Sequence, residues 1–347
     1  MEQGKDHKIK FAVVGFGNIG KRHAEEIAAH KDAELVAVVD INHEVSGLVV
    51  NLYNVTVYND LEDLFTNQRD LDVINICTPN GLHIPMAMQV LAAGKHVVVE
   101  KPMGLFKNEC DGLIELAAKN HKKVFCVLQN RYSPPAQLIH KMISEQRLGK
   151  IYWVAINCYW NRDKRYYLPG SWRGTKHMDG GPLYTQFSHF IDLLYWNFGP
   201  LKNLGGIFFN NNHDYLEGIE DTGSFHFEFE RGGAGQFSYS TSLFESNLES
   251  SITIIGEKGT IKAGGQYMEK IDFFIVEGMA MPDLTETLPP NNYGDFKGSA
   301  ANHAFVIDNV VKALKGQPYE MATAEDAAAS VDIIEGVYKL RDGERNC

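Results

Sequence analysis

The chain has 347 residues, enough for two domains of roughly 150 residues each. Apolar residues make up 44% and charged residues 22%, which excludes a mainly disordered chain. With 33 Lys and Arg against 44 Asp and Glu, the net charge of −11 argues against nucleic acid or an anionic membrane as main partner, because phosphate binding needs local positive charge. No apolar run approaches the ~18–20 residues of a membrane span. The polar stretch 1–10 lacks the apolar segment of a signal peptide. Cys77, Cys110, Cys126, Cys158 and Cys347 are odd in number and form no CxxC pair. A disulfide framework or a structural zinc is therefore not expected, and a cytoplasmic location is.

In chain order, residues 10–15 (KFAVVG) read as a buried strand and 18–30 as a helix. Residues 34–40 (ELVAVVD) and 72–76 (DVINI) are strands, followed by a helix over 83–93. Residues 96–100 (HVVVE) form a strand, 107–120 a helix, and 124–128 close the series. Alternating strands and helices, with strands apolar on both faces, predict a helix-covered parallel sheet. The pattern then changes. Pro134 and Pro135 open a helix to about residue 145. In residues 224–230 (SFHFEFE), Phe225, Phe227 and Phe229 alternate with polar residues, so one strand face is buried and one is wet. Residues 251–261 predict a hairpin around Gly256 and Gly259. The stretch 277–297, rich in Pro, Gly and Asn, predicts a long loop. Helices over 299–314 and 324–340 end the chain.

Gly15-Phe16-Gly17-Asn18-Ile19-Gly20 is a GxGxxG pattern that follows a strand and opens a helix. Gly15 permits the tight turn, Gly17 lets backbone approach a pyrophosphate, and Gly20 lets helix and strand pack closely. Asp40, at the end of the second strand, can accept hydrogen bonds from ribose hydroxyls and would repel a 2′-phosphate, so NAD is expected over NADP. Thr78-Pro79-Asn80, with His83 just beyond, follows a strand where ligands of open α/β sheets bind, and equally suits a plain turn. Glu100-Lys101-Pro102 ends another strand, and a Lys there can move a proton once desolvated. A helix over 182–195 would place Thr185, His189 and Asp192 on one face. His189 reads as an acid–base group or as a satisfied core histidine. Residues 162–176 hold five basic residues and one acid with Tyr166, Tyr167 and Trp172 interleaved. That segment suits an anionic, ring-containing substrate or a solvated loop. His177, His189 and His213 lack ligand-like spacing, so no metal is expected.

The order GFGNIG, CTPNGLH, EKP and DGG followed by His and Asp resembles the glucose–fructose oxidoreductase and inositol dehydrogenase family over nearly the whole chain. In that family the Lys of EKP and a His on a helix of the second domain flank the substrate, which implies Lys101 and His189 as the catalytic pair. Gln129-Asn130-Arg131-Tyr132, Arg162 with Tyr166-Tyr167, Trp172-Arg173-Gly174, and Asp179-Gly180-Gly181 through Gln186 and His189 are similar to bacterial UDP-N-acetylglucosaminuronate 3-dehydrogenases. Glu220-Asp221-Thr222 and residues 254–259 (IIGEKG) extend the match. Those enzymes oxidise the sugar 3-hydroxyl with NAD on the route to surface-polysaccharide sugars. One departure stands out: Thr185 occupies the position where the family usually carries Asp or Asn, and Thr cannot take a proton as a carboxylate does.

The expected fold is α/β: a Rossmann NAD-binding domain over 1–128, then an α+β substrate and oligomerisation domain over 129–347 with a large open, mainly antiparallel sheet. Its C-terminal helices are expected to pack back on the first domain. The resemblance implies NAD contacts from Gly15 to Gly20, Asp40, Thr78, Pro79, Asn80, His83, Glu100, Lys101, Gln129, Trp172 and Arg173. It implies substrate contacts from Arg162, Arg165, Tyr166, Arg173, Thr185, Gln186 and His189. The expected ligand is a nucleotide sugar or sugar, with no nucleic acid or membrane partner, and the expected assembly is a homo-oligomer, dimer or tetramer. Two other readings stand beside this one: a dehydrogenase of a free polyol such as inositol, and a catalytically silent dinucleotide-binding regulator.

Overall fold

The computed structural model describes residues 7–168, 170–216, 218–292 and 296–343. Cys347, the start 1–6 and residues 293–295 of the expected loop lie outside them. The chain divides into two compact units, Met1–Leu128 with His303–Ala328, and Gln129–Asn302 with Ala329–Cys347.

The first unit runs β1 (Ile9–Val14), α1 (Asn18–Ala29), β2 (Ala33–Val39), α2 (Val45–Tyr53), β3 (Thr56–Tyr58), α3 (Leu61–Asn67), β4 (Val73–Ile76), α4 (His83–Ala92), β5 (His96–Val99), α5 (Lys107–Lys119) and β6 (Val124–Cys126). The strands form one parallel sheet in the order β3-β2-β1-β4-β5-β6. Val73, Ile74, Asn75 and Ile76 of β4 are all buried, as expected for strands covered on both faces. Strand order reverses between β1 and β4, so the turns that follow these two strands lie side by side. Such a switch point is where open α/β sheets bind ligands. The sequence reading did not anticipate α2, β3 and α3, which are short and lie in a partly exposed stretch.

The second unit adds α6 (Pro134–Ser144), β7 (Ile151–Tyr159), α7 (Pro182–Thr185), α8 (Ser188–Phe198), β8 (Leu201–Phe209), β9 (Thr222–Phe229), β10 (Ala234–Ser240), β11 (Glu249–Gly256), β12 (Gly259–Gly264), β13 (Lys270–Val276), β14 (Pro290–Asn292) and β15 (Lys297–Ala300). Its seven-stranded sheet has the order β13-β12-β11-β7-β10-β9-β8, antiparallel except for β7 against β10. Phe225, Phe227 and Phe229 of β9 are buried on one face, as their alternation predicts. Phe229 stacks on Phe198 of α8 with ring centroids 4.9 Å apart. The chain then forms α9 (His303–Leu314) and α10 (Ala324–Arg341). Helix α9 belongs to the first unit and packs on α1, while the division falls inside α10, after Ala328.

One expected element is corrected. The helix over 182–195 is two helices, because Gln186 and Phe187 leave the regular path and both donate to the Pro182 carbonyl. Thr185, His189 and Asp192 therefore do not share one continuous helix face.

Candidate functional site

The glycine loop behaves as its three glycines predict. Gly15 has φ +86°, and a Cβ there would stand 2.8 Å from the Cys77 carbonyl oxygen. A Cβ on Gly20 would stand 1.8 Å from the Gly15 oxygen, so helix and strand approach only because it is absent. A Cβ on Gly17 would meet nothing within 4 Å. That space lies before an α1 N-terminus with no side-chain cap and no acid in its first turn. Uncapped N–H groups facing open space suit a pyrophosphate. Gly17 and Asn18 are exposed, Ile19 is half-buried and Phe16 is buried against Tyr53. Asp40 accepts from the Phe16 N–H at 2.6 Å and the Asn42 N–H at 2.8 Å, so it also holds the loop in shape.

Thr78 borders the same loop, with its Cγ2 3.2 Å from a Cβ built on Gly15. Its Oγ1 is buried without a hydrogen-bond partner, an orphan that suits a polar ligand group. Pro79 leads into a short 3₁₀ turn, Asn80–Leu82, in which Asn80 is buried. His83, expected as a cofactor contact, is buried beside two backbone carbonyls. Its Nδ1 lies 2.7 Å from the Pro102 oxygen and its Nε2 2.9 Å from the Thr78 oxygen, and a neutral imidazole donates to one of these two carbonyls. Burial lowers its pKa, against those two carbonyls. Glu100 is buried beside His23, with Oε1 2.8 Å from His23 Nε2. Its Oε2 accepts from the Lys101 backbone N–H at 3.1 Å.

In the second unit, His189 opens α8 and is buried. Its Nε2 lies 3.3 Å from Gln129 Nε2, and Gln129 Oε1 has no hydrogen-bond partner. Asp192 forms a buried bidentate ion pair with Arg131, at 2.9 Å to Nε and 2.6 Å to Nη2, and so braces α8. Thr185 donates to both the carbonyl and the carboxylate of Asp179. Asp179 also accepts from the Gly174 N–H at 2.7 Å and the Gly181 N–H at 3.2 Å. Burial raises its pKa, opposed by Thr185 and those two N–H groups. The carboxylate absent from position 185 thus stands one hydrogen bond away. The sequence signal for it was the DGG turn, where Gly180 and Gly181 have φ +83° and +119°.

The basic segment does not form a uniform solvated face. Arg165 is exposed and binds Asp163. Arg162 is 2% exposed. Its Nε donates to Gln186 Oε1 at 2.7 Å, its Nη1 to the Asn161 oxygen at 2.6 Å and Asn247 Oδ1 at 3.2 Å, and its Nη2 to the Lys297 oxygen at 3.0 Å. Among the described residues, every acceptor is neutral. Gln186 also donates to the Tyr166 hydroxyl at 2.6 Å. The guanidinium carbons of Arg162 and Arg173 stand 5.4 and 4.6 Å from the Tyr166 ring centre. Arg173 also faces Trp172 at 5.3 Å, and its Nε is buried without a partner. Burial lowers the Arg162 pKa, opposed by Tyr166 and Tyr167, and the Arg173 charge lowers it further. The outcome is two neighbouring cations among aromatic rings.

Residues 9–127 match the oxidoreductase family, NAD-binding Rossmann fold, and residues 136–262 match the GFO/IDH/MocA C-terminal domain. The chain is similar to the WlbA dehydrogenase of Bordetella pertussis, whose crystal structure contains NADH and UDP-GlcNAcA. The TM-score is 0.86 at 32% identity, covering 97% of this chain and 98% of that one. The corresponding WlbA structure from Chromobacterium violaceum, with the same two ligands, gives a TM-score of 0.87 at 30% identity over 98% of this chain and 96% of that one. Inositol 2-dehydrogenase of Rhizobium meliloti is 28% identical over 148 residues, 43% of this chain and 44% of that protein. The chain spans about half the length of the curated relatives it matches. Among the described residues no helix is long and apolar enough to cross a membrane. The chain belongs to the GFO/IDH/MocA oxidoreductase family, and its first unit carries that family's NAD-binding Rossmann fold.

Proposed function

We propose that the protein is an NAD-dependent dehydrogenase that oxidises the 3-hydroxyl of a UDP-linked N-acetylhexosaminuronate, a sugar for surface polysaccharide. The observation that carries this reading is Arg162, a buried guanidinium whose hydrogen bonds among the described residues all go to neutral acceptors, beside the Arg173 guanidinium. Buried cations need compensating charge. A carboxylate or diphosphate on the substrate supplies it, and a free polyol does not. Tyr166 and Trp172 offer ring faces to the sugar or base.

Bound NAD supplies the hydride acceptor. The glycine-loop N–H groups would hold its pyrophosphate, and Asp40 would accept from its ribose hydroxyls. Lys101 polarises the substrate hydroxyl and takes or relays its proton, with His189 as the partner acid–base group. Gln129 orients His189, and Thr185 with Asp179 braces the turn ahead of it.

The test is NAD reduction, followed by NADH absorbance, with UDP-N-acetylglucosaminuronate in one arm and myo-inositol in the other. Faster turnover of the nucleotide sugar supports the proposal. Faster turnover of inositol would favour the polyol reading, to which the similarity to inositol 2-dehydrogenase also points. NAD binding without reduction in either arm, or with other sugars, would favour a silent regulator.

A further inference from the structure

One buried ionisable cluster surrounds Glu100, for which the resemblance implies only an NAD contact, and adds two histidines that have no role above. His23 on α1, Glu100 after β5 and His303 on α9 bring ligand-type atoms within 4.8 Å of one another, and all three are buried. Glu100 Oε1 is 2.8 Å from His23 Nε2 and 3.4 Å from His303 Nε2. The two imidazoles meet edge to face, with centroids 5.4 Å apart. Asn75 Nδ2 stands 2.8 Å from His23 Nδ1. An amide nitrogen donates, so the His23 proton sits on Nε2, directed at Glu100. The second oxygen of Glu100 holds the Lys101 backbone N–H, and His83 Nδ1 lies 2.7 Å from the Pro102 oxygen. Three histidines, from α1, α4 and α9, thus converge on the tripeptide Glu100-Lys101-Pro102, where the chain leaves β5.

The His23–Glu100 spacing is that of a hydrogen bond, whereas His303 Nε2 stands at 3.4 Å from Glu100 Oε1 without forming one. Ligands ~2.0–2.1 Å from a tetrahedral zinc stand roughly 3.3 Å apart, wider than the His23–Glu100 contact. A metal-bound His23 would also direct Nδ1–H at an acceptor, whereas here Nδ1 receives a donor.

We infer that His23 and His303 are positioning residues that act through Glu100, fixing the backbone at Lys101 and keeping a carboxylate charge beside it. Burial pushes the Glu100 carboxyl up, but the two histidines outweigh it and hold it well below the usual carboxylate range. Arg22 and His23 of α1 also face His303, and Cys77 at the end of β4 lies within reach of the Glu100 charge. Removing His303 takes away one of the two groups that hold the Glu100 carboxyl down, so it shifts upward and Lys101 loses part of a charge that favours its ammonium form.

This inference rests on the reading of Lys101 as the acid–base lysine, and its test needs no sugar. The test is acetic anhydride labelling of Lys101 in the full-length protein near pH 8, read by peptide mass spectrometry, with exposed Lys202 as internal reference. Only the neutral amine reacts. His303→Phe keeps a ring but loses both nitrogens, and should raise Lys101 labelling at least ~3-fold, equivalent to roughly half a pKa unit. His303→Gln keeps a donor and should stay within ~2-fold of wild type, and NADH affinity should stay within ~3-fold in both, because the glycine loop is untouched. Wild-type labelling in His303→Phe, or an equal change in His303→Gln, would overturn the inference. Should His303→Phe fail to fold, His23→Phe against His23→Gln gives the same comparison from α1. Stoichiometric zinc retained through chelation would also overturn it, in favour of a metal centre.

Discussion

Asp40 does two jobs with one carboxylate. It holds the Phe16 and Asn42 N–H groups, and it places negative charge at the end of β2. NAD should bind at least ~10-fold more tightly than NADP, since ~1.4 kcal/mol of repulsion gives that factor. Fluorescence titration with both cofactors checks this; equal affinities would refute it, and Asp40→Ser should narrow the gap. Lys101→Met should cut turnover by ~10²–10⁴ while NAD affinity holds, because the phosphate contacts lie elsewhere. His189→Asn should lose less, since an amide still orients a hydroxyl. A Lys101→Met enzyme with near wild-type turnover would remove the lysine from the mechanism. Residue types were legible in the sequence where backbone geometry dictates them, as at Gly15 and Gly20. Partners were not. His83 and Asp192 looked available, yet tertiary packing engages them with carbonyls and with Arg131.

At the scale of elements, the loop before α1 separates folding from binding. Gly20→Ala forces a Cβ into the Gly15 oxygen and should unfold the turn, whereas Gly17→Ala has open space before it. Gly17→Ala should therefore melt like wild type yet bind NAD at least ~10-fold more weakly, a loss of ~1.4 kcal/mol. Parallel loss of stability in both variants would contradict this. Strand β5 carries a second test. His96 Nδ1 accepts the Lys123 N–H at 3.0 Å, which requires an unprotonated nitrogen. Burial, then the Lys122 and Lys123 charges, push its pKa down to about 4 from 6.5. The unfolded chain thus binds this proton more tightly. The contribution of His96 to stability is complete above about pH 6.5 and is lost as pH falls toward about 4. Melting at about pH 7.5 and pH 5 should show a smaller acid loss in His96→Gln than in wild type. Long apolar strands were readable because both faces are buried. Helices α2 and α3 were not, because segments of 9 and 7 residues depend on packing more than on propensity. The break between α7 and α8 follows from packing too, since it frees Gln186 to join Arg162 to Tyr166.

For the molecule as a whole, the seven-stranded sheet has one lined and one open face. The face bearing Phe225, Phe227 and Phe237 is buried. The register places Ile207, Trp153, Ile255, Phe273 and Ile275 on the other, with exposures of 60%, 37%, 41%, 45% and 63%. An apolar surface of that kind calls for a partner. A homo-oligomer, dimer or tetramer, should form across it, and light scattering should report a mass at least twice that of the 38.9 kDa chain. Ile275→Lys with Phe273→Ser should shift that mass downward; an unchanged assembly would place the interface elsewhere. The two-unit plan was legible from the change of pattern near residue 128. The two late helices were expected to pack back on the first domain, but nothing in the sequence singled out α1 as the element α9 packs on.

That return has a consequence for biosynthesis. The sheet from β1 to β6 leaves the ribosome early, but α9, which covers α1 and carries His303, emerges only after the whole Gln129–Asn302 stretch. Until then the nascent Rossmann layer lacks the helix that packs on α1, and Glu100 lacks one of its two imidazoles. Contacts this distant in sequence close slowly, because the loop entropy must be met first. The nucleotide half of the protein is thus finished last, although it is made first.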